Sequence, residues 1–355
     1  MDTDAAWNLR RVLLSVLFLV IVALPLYPEL YGLDEVTPFT QLVAFRPQFL
    51  VLVLVLGLAM LLRWNWRIAA GLVILLALTG GALLAPRNLS GPTPPPAGSR
   101  ALTVMVANVL GGGADAGEVA KLINAYRPDI VSLPEARVDV RQEIEDHLNG
   151  LNYYGYTQQA NAEVESATSV LVAESLGNVQ FDSEKLDTGK VSSEQPGTSK
   201  PGAGEPGAQT IGPVQQTTTQ FGHIIITGGN LGKLRLIAYH GYPPLPGDVT
   251  IWKQDLQVVK DWCSAGSMTV VAGDFNATTD HADFRSALGK NCKSVGPSVG
   301  EGFQGTWPAN RPALFRTQID QVVISDDIVP GKFKTYDLEG SDHRAVITTI
   351  AVPKS

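Results

Sequence analysis

The chain has 355 residues, of which 45% are hydrophobic and 17% charged, with a formal net charge of −7. These values exclude a disordered chain, a collagen-like chain and a disulfide-dense mini-protein. The acidic balance also argues against a protein that grips nucleic acid through a broad basic surface.

The apolar excess lies at the N-terminal end. Residues 1–99 carry six arginines, no lysine and five acids, whereas the remainder holds eight more acids than bases. Three uncharged apolar stretches, 12–28, 47–62 and 68–86, contain 17, 16 and 19 residues. A helix needs about 20 apolar residues to cross a bilayer, with a range of about 17–25. The middle stretch is short, but Arg46 and Arg63 flank it and can snorkel to the interfaces. Trp64 and Trp66 suit an interfacial aromatic belt. A cleaved signal peptide is the weaker reading, because Tyr27, Pro28, Glu29 and Leu30 stand where a small-residue cleavage site belongs. Residues 1–89 are therefore expected to form a three-span transmembrane region. With the N-terminus cytoplasmic, Arg10, Arg11, Arg63 and Arg67 lie inside and Arg46 and Arg87 outside, which obeys the positive-inside rule. The rest of the chain then lies outside the cytoplasm, in a multi-pass cell-membrane protein. That compartment permits a bridge between the only two cysteines, Cys263 and Cys292, with two buried thiols as the other reading.

Residues 90–100 form a Pro-rich spacer, and residues 101–355 read as one domain. Strand and helix signals alternate from Leu102 onward. Leu102–Ala107 and Ile130–Leu133 are short buried strands. Between them, Asp115 and Glu118 mark a helix start, Val119, Leu122, Ile123 and Tyr126 give its apolar face, and Pro128 stops it. Further strands are predicted at Ser169–Ala173, His223–Thr227, Leu234–Tyr239, Met268–Ala272, Ile319–Ser325 and Ala345–Val352. A helix follows Asp248, with Trp252, Leu256, Val259 and Cys263 on one side. Residues 182–220 are rich in Ser, Thr, Gly and Pro, and read as a disordered surface insertion.

Polar residues recur at strand ends. Asn108, Glu135, His240, Asp274 and Asn276 follow apolar strands, and Asp342 and His343 precede the last one. Asp320 sits in an otherwise apolar strand, where an unpartnered carboxylate is costly. Singly, each has an ordinary explanation as a cap, a turn or a hydrogen-bonded core residue. Together they supply hard oxygen ligands, amides and imidazoles, which suit Mg²⁺ and phosphate better than zinc. Strand ends in α/β folds converge on one crevice, where ligands bind.

At these residues the chain resembles the endonuclease/exonuclease/phosphatase superfamily. The matching segments are Val-Ala-Asn108-Val, Pro128-Asp-Ile-Val-Ser-Leu-Pro-Glu135, Tyr239-His240-Gly-Tyr-Pro-Pro, Gly273-Asp274-Phe-Asn276, Arg316-Thr-Gln-Ile-Asp320-Gln-Val-Val-Ile-Ser and Gly340-Ser-Asp342-His343, in the family's order over residues 102–352. The resemblance implies a four-layer α/β sandwich of two packed mixed sheets with its active site at one end. It also implies roles. Glu135, helped by Asn108 and Asp342, would hold Mg²⁺ (or Mn²⁺). Asp274 would align and deprotonate water. Asn276 and His240 would hold phosphate oxygens. His343, oriented by Asp320, would stabilise charge on the transferring phosphoryl group. The chain departs from the pattern at Pro134, where Gln is usual, and at Gln321, where Tyr or His is usual.

Three apolar stretches and a net acidic domain favour a substrate in the outer leaflet over nucleic acid. The architecture is similar to bacterial membrane-bound members linked to glycopeptide resistance, which resemble lipid-pyrophosphate phosphatases. The expected function is an outward-facing, Mg²⁺-dependent phosphohydrolase acting on a lipid-linked phosphoester or pyrophosphate. A membrane-tethered extracellular nuclease and a catalytically inactive membrane binding protein are the alternatives.

Overall fold

The structure, a computed structural model, describes residues 3–63, 66–182 and 219–353. Most of the insertion expected at 182–220, and Trp64 of the expected aromatic belt, lie outside the described residues.

The described residues from Arg100 onward form two six-stranded sheets packed face to face. The first, sheet A, contains β1 (Arg100–Val106), β2 (Ile130–Pro134), β3 (Tyr153–Gln159), β4 (Ala167–Ala173), β11 (Val329–Asp337) and β12 (Arg344–Val352), in the order β11-β12-β1-β2-β4-β3. Sheet B contains β5 (Val179–Asp182), β6 (His223–Gly228), β7 (Arg235–His240), β8 (Thr269–Asp274), β9 (Cys292–Ser294) and β10 (Asp320–Ser325), in the order β5-β6-β7-β8-β10-β9. Each sheet has one parallel pair, β1 with β2 and β7 with β8, and its other pairs are antiparallel. Every strand expected from the sequence is present, within a few residues at its ends.

The strands are rich in Val and Ile because alternate residues face two apolar layers. Val104, Val106, Val170, Ile224, Leu236, Val270, Val322 and Ile350 fill the space between the sheets. Outside sheet A, the opposite faces of β1 and β2 pack on α4 (Ala116–Tyr126) and α5 (Val138–Asp146) through Met105, Val131, Val119, Ile123 and Ile144. Asp115 caps α4, accepting the Glu118 N–H at 2.9 Å, and Arg127 leaves it with φ +45° just before Pro128. Outside sheet B lie α6 (Val249–Ser264) and α7 (Ala282–Leu288), where Trp252, Val259, Trp262 and Phe284 meet Tyr239, Val271 and Phe275. Fully burying one such side chain is worth about 1.5–3 kcal/mol. A Cys263–Cys292 disulfide ties α6 to β9 with the Cα atoms 5.7 Å apart, which settles the choice left open by the sequence. The result is helix, sheet, sheet, helix: the expected four-layer sandwich.

The N-terminal stretches form α1 (Thr3–Ala23), α2 (Arg46–Met60) and α3 (Arg67–Leu84). Among the described residues, only Arg67–Leu84 is long and apolar enough to cross a membrane by length and composition; Leu13–Ala23 and Arg46–Met60 are shorter apolar helices. The expectation of three spanning helices thus rests on one full-length helix and two shorter ones. The 15 residues of α2 rise about 22 Å at about 1.5 Å each, because Leu61–Arg63 turn away from the helix. Gly57 lets α2 and α3 approach closely, since a Cβ there would stand 2.7 Å from Cγ1 of Ile74. Leu14, Leu17, Leu52, Val55, Leu75 and Leu78 are exposed on the helix flanks. Arg46 does not snorkel freely: its guanidinium lies 2.7 Å from Glu29 and 3.5 Å from Asp280.

Candidate active site

One end of the sandwich collects the polar residues, and strand direction explains why. The parallel pairs β1–β2 and β7–β8 deliver Asn108, Glu135, His240 and Asp274 at their C-terminal ends. The antiparallel strands β10 and β12 begin at that same end, with Asp320, Asp342 and His343. Within sheet B the register sets His240 beside Asp274, and Asp274 beside Asp320. A hydrogen bond joins the sheets: Asn108 Nδ2 donates to Asp274 Oδ2 at 3.1 Å and to Glu135 Oε1 at 2.9 Å.

All eight residues expected from the sequence meet here. His343 Nδ1 lies 2.9 Å from Asp320 Oδ2, and its Nε2 is 3.8 Å from Asp274 and 3.9 Å from Asp342. His240 Nε2 is 4.0 Å from Glu135, with its ring against Phe221. Asp274 Oδ1 accepts the Asn276 N–H at 2.8 Å, and Asn276 Nδ2 donates to Gly241 O at 3.0 Å. Glu135 and Asn276 occupy the left-handed region, with φ +61° and +48°, at sharp turns that lift both side chains over the strand ends. Asn108 Oδ1 accepts the Leu110 N–H at 2.9 Å, and its amide donates to two carboxylates. Here it orients Glu135 and Asp274.

The charges are unequal in kind. Burial, partly offset by the hydrogen bond from Asn108 and reinforced by Asp274, raises the Glu135 carboxyl to about 7. Burial and the neighbouring Asp320 raise Asp274. Burial lowers His240 to about 4, so this imidazole is neutral at pH 7. Burial also works against a charged His343, but Asp320 outweighs it, through charge and hydrogen bond, and pushes His343 up to about 10. One cationic imidazole therefore stands among four carboxyl groups.

The donor set fits a hard cation. Asp342 Oδ1 is buried without a hydrogen-bond partner, while its Oδ2 accepts from Trp307 Nε1 at 2.9 Å. Oxygens of Glu135 and Asp342 and the local excess of acid are what a divalent cation neutralises. By distance alone, Asp274, Asp320 and His343 also form a group able to hold a metal, with ligand atoms within 4.8 Å of one another. There, however, Nδ1 of His343 is already engaged by Asp320.

Sequence reasoning missed the supports. Asp255, on the buried face of α6, accepts the N–H groups of Tyr242 at 2.8 Å and Gln220 at 3.2 Å, fixing the turn after His240. Burial raises its carboxyl to about 7. An Asp between Trp252 and Leu256 was the available signal. Thr306 Oγ1 accepts the Asp320 N–H at 3.1 Å, and Ser341 Oγ donates to Asn108 O at 2.9 Å. Of the two departures from the family pattern, Gln321 is buried with its side-chain amide against Ser294 and Gln318, and Pro134 is buried at the end of β2, directly before Glu135.

The model of the "Endonuclease/Exonuclease/phosphatase family" matches residues 105–343, more than half of the chain. Among solved structures, D. rerio TDP2 humanized by 14 mutations is 17% identical, with a TM-score of 0.50 over 70% of this chain and 98% of that one. D. rerio TDP2 complexed with single-strand DNA product is 16% identical, with a TM-score of 0.49 over 70% and 98%. The endonuclease/exonuclease/phosphatase from Beutenbergia cavernae is 17% identical, with a TM-score of 0.49 over 71% and 72%. At 17% identity the first of these likenesses is one of fold alone. No curated protein matches.

Proposed function

The chain belongs to the endonuclease/exonuclease/phosphatase family and is a metal-dependent phosphoric ester hydrolase, and we propose that it works at a membrane, facing outward, on a lipid-linked phosphoester or pyrophosphate. The observation that carries this reading is where the apolar helices dock. Their ends meet sheet B at its catalytic end. Gln41 Nε2 donates to Pro244 O, four residues beyond His240. Arg46 and Arg87 both pair with Asp280, four residues beyond Asn276. Thr317 Oγ1 donates to Ala44 O at 2.8 Å, and Gln48 Nε2 to Arg316 O at 2.9 Å, just ahead of Asp320. Through Glu29, Arg46 and Arg87, which meet around Asp280, the segment after α1, the start of α2 and the segment after α3 share that side, the arrangement that three alternating spans would have. A site so placed opens beside the headgroup layer.

In the mechanism we propose, Glu135 and Asp342 would hold Mg²⁺, with Asn108 orienting Glu135, and the ion would supply charge neutralisation for the phosphate. Asn276 and His240 hold non-bridging oxygens, His240 as a neutral donor. Asp274 accepts the proton of the attacking water as its oxygen bonds to phosphorus and the bond to the leaving group breaks. His343, kept cationic by Asp320, stabilises the charge that develops on the phosphoryl oxygens.

The test uses full-length protein in detergent, with undecaprenyl pyrophosphate as substrate, in Mg²⁺ and in EDTA, beside a supercoiled-plasmid nicking assay. Metal-dependent phosphate release without nicking is the expected result. Nicking without phosphate release would replace this reading with a membrane-tethered nuclease.

A further inference from the structure

Residues 310–315, Asn-Arg-Pro-Ala-Leu-Phe, form an unbroken exposed run at the helix-docked end of the catalytic domain. Leu314 and Phe315 are 59% and 56% exposed, unusual for two adjacent large apolar residues on a loop. The next two residues fix the run in place: Arg316 O accepts from Gln48 in the first turn of α2, and Thr317 donates to Ala44 just before that helix. Arg316 holds the loop's shape by donating to Arg311 O at 2.7 Å and Ala309 O at 2.8 Å. Arg311 is exposed and has no ion pair among the described residues. A second exposed aromatic, Phe303, follows Gly302, whose N–H donates to Arg87 O beyond the end of α3. The loop's other end reaches the site through Trp307, which holds Asp342.

We propose that this loop is a lip seated in the outer-leaflet interface, with Leu314 and Phe315 among the acyl chains and Arg311 on an anionic lipid phosphate. The inference rests on the membrane reading above. Two large apolar side chains beside a free cation match the chemistry of an interface whose core is apolar and whose headgroups are anionic. The mooring to α2 sets the loop at the depth where that helix leaves the bilayer. Through Trp307 and Asp342, the same loop links the lipid surface to the site, so a headgroup phosphate is met without leaving the leaflet. The lip is a substrate-delivery surface and takes no part in the chemistry.

Two measurements on the full chain test this. Because Cys263 and Cys292 are bridged, a Phe315→Cys variant has one free thiol for an environment-sensitive fluorophore. In vesicles of phosphatidylcholine and phosphatidylglycerol, nitroxide lipids are expected to quench that label. A label at Lys121→Cys, on the opposite outer layer, is expected to stay unquenched. The double variant Leu314→Asp/Phe315→Asp should lose about tenfold or more of its activity on vesicle-borne lipid pyrophosphate. Its hydrolysis of a soluble phosphodiester should remain unchanged. A label at 315 as solvent-exposed as one at 121, in protein that floats with the vesicles, overturns the lip. Lipid hydrolysis with an unquenched label sinks the lip and spares the substrate reading. A quenched label without lipid hydrolysis does the reverse.

Discussion

The two sheets contribute to the site in different ways. In sheet B, His240, Asp274 and Asp320 sit within strands, fully buried and fixed side by side by the ladder. In sheet A, Asn108, Glu135 and Asp342 stand beyond the strands on turns, and Glu135 and Asp342 are only partly buried. The helices moor to sheet B and its loops. Register-held groups suit a task that tolerates no misplacement, such as aligning water. Turn-held groups nearer solvent suit a ligand that exchanges.

The contrast breaks first at Asp274. Asp274→Asn keeps the size of the side chain and is expected to lower kcat about 10³-fold, with circular dichroism unchanged. A variant keeping a tenth of wild-type activity would move water activation out of the rigid half. Glu135→Gln should act differently. Titrating activity against Mg²⁺ is expected to show apparent affinity weakened on the order of tenfold or more, with kcat recovering at saturation. Equal loss of kcat at all metal concentrations would erase the distinction between the halves.

Asp280→Asn tests the mooring. It takes the acid from the half-buried Arg87 and leaves the buried Arg46 paired with Glu29 alone, which is expected to cost about 1–3 kcal/mol and to lower Tm in detergent by a few degrees. An unchanged Tm would mean that the helices and sheet B are not coupled there. The smallest effect is on pH dependence. His343 is raised to about 10 in the fold, above its ordinary 6.5, so stability from its pairing with Asp320 is complete below about pH 6.5 and lost as pH rises through about 10. In metal-free protein the Tm gap between wild type and Asp320→Asn should therefore close with rising pH. A gap that widens would reverse the sign.

Much of this was legible in the sequence, for a physical reason. A carboxylate or imidazole at the end of a Val/Ile run is costly without a partner, so Asp274, Asp320 and His240 stand out. The strands missed are those without such a run. β3 reads Tyr-Tyr-Gly-Tyr-Thr-Gln-Gln, β5 and β9 have four and three residues, and β11 is interrupted by Pro330 and Gly331 at a bulge. Thr306 and Trp307 were invisible as site residues, and Asp255 stood out only as an acid on an apolar helix face, because all three act through distant backbone or side-chain partners that only the fold brings near. The three apolar runs announced three helices, but not that Arg46 would be paired at the head of α2, nor that α2 would end at Met60.

Glu135 and Asn276 are both held at positive φ, one on each sheet, in backbone that residues other than glycine adopt at a cost of about 1 kcal/mol or more. The molecule thus spends conformational stability at the two points where its chemistry is exposed. Glycine at either turn would relax it and remove the reactive side chain. Laboratory evolution for heat resistance alone would be drawn to these positions, and would arrive at a sturdier protein that no longer catalyses.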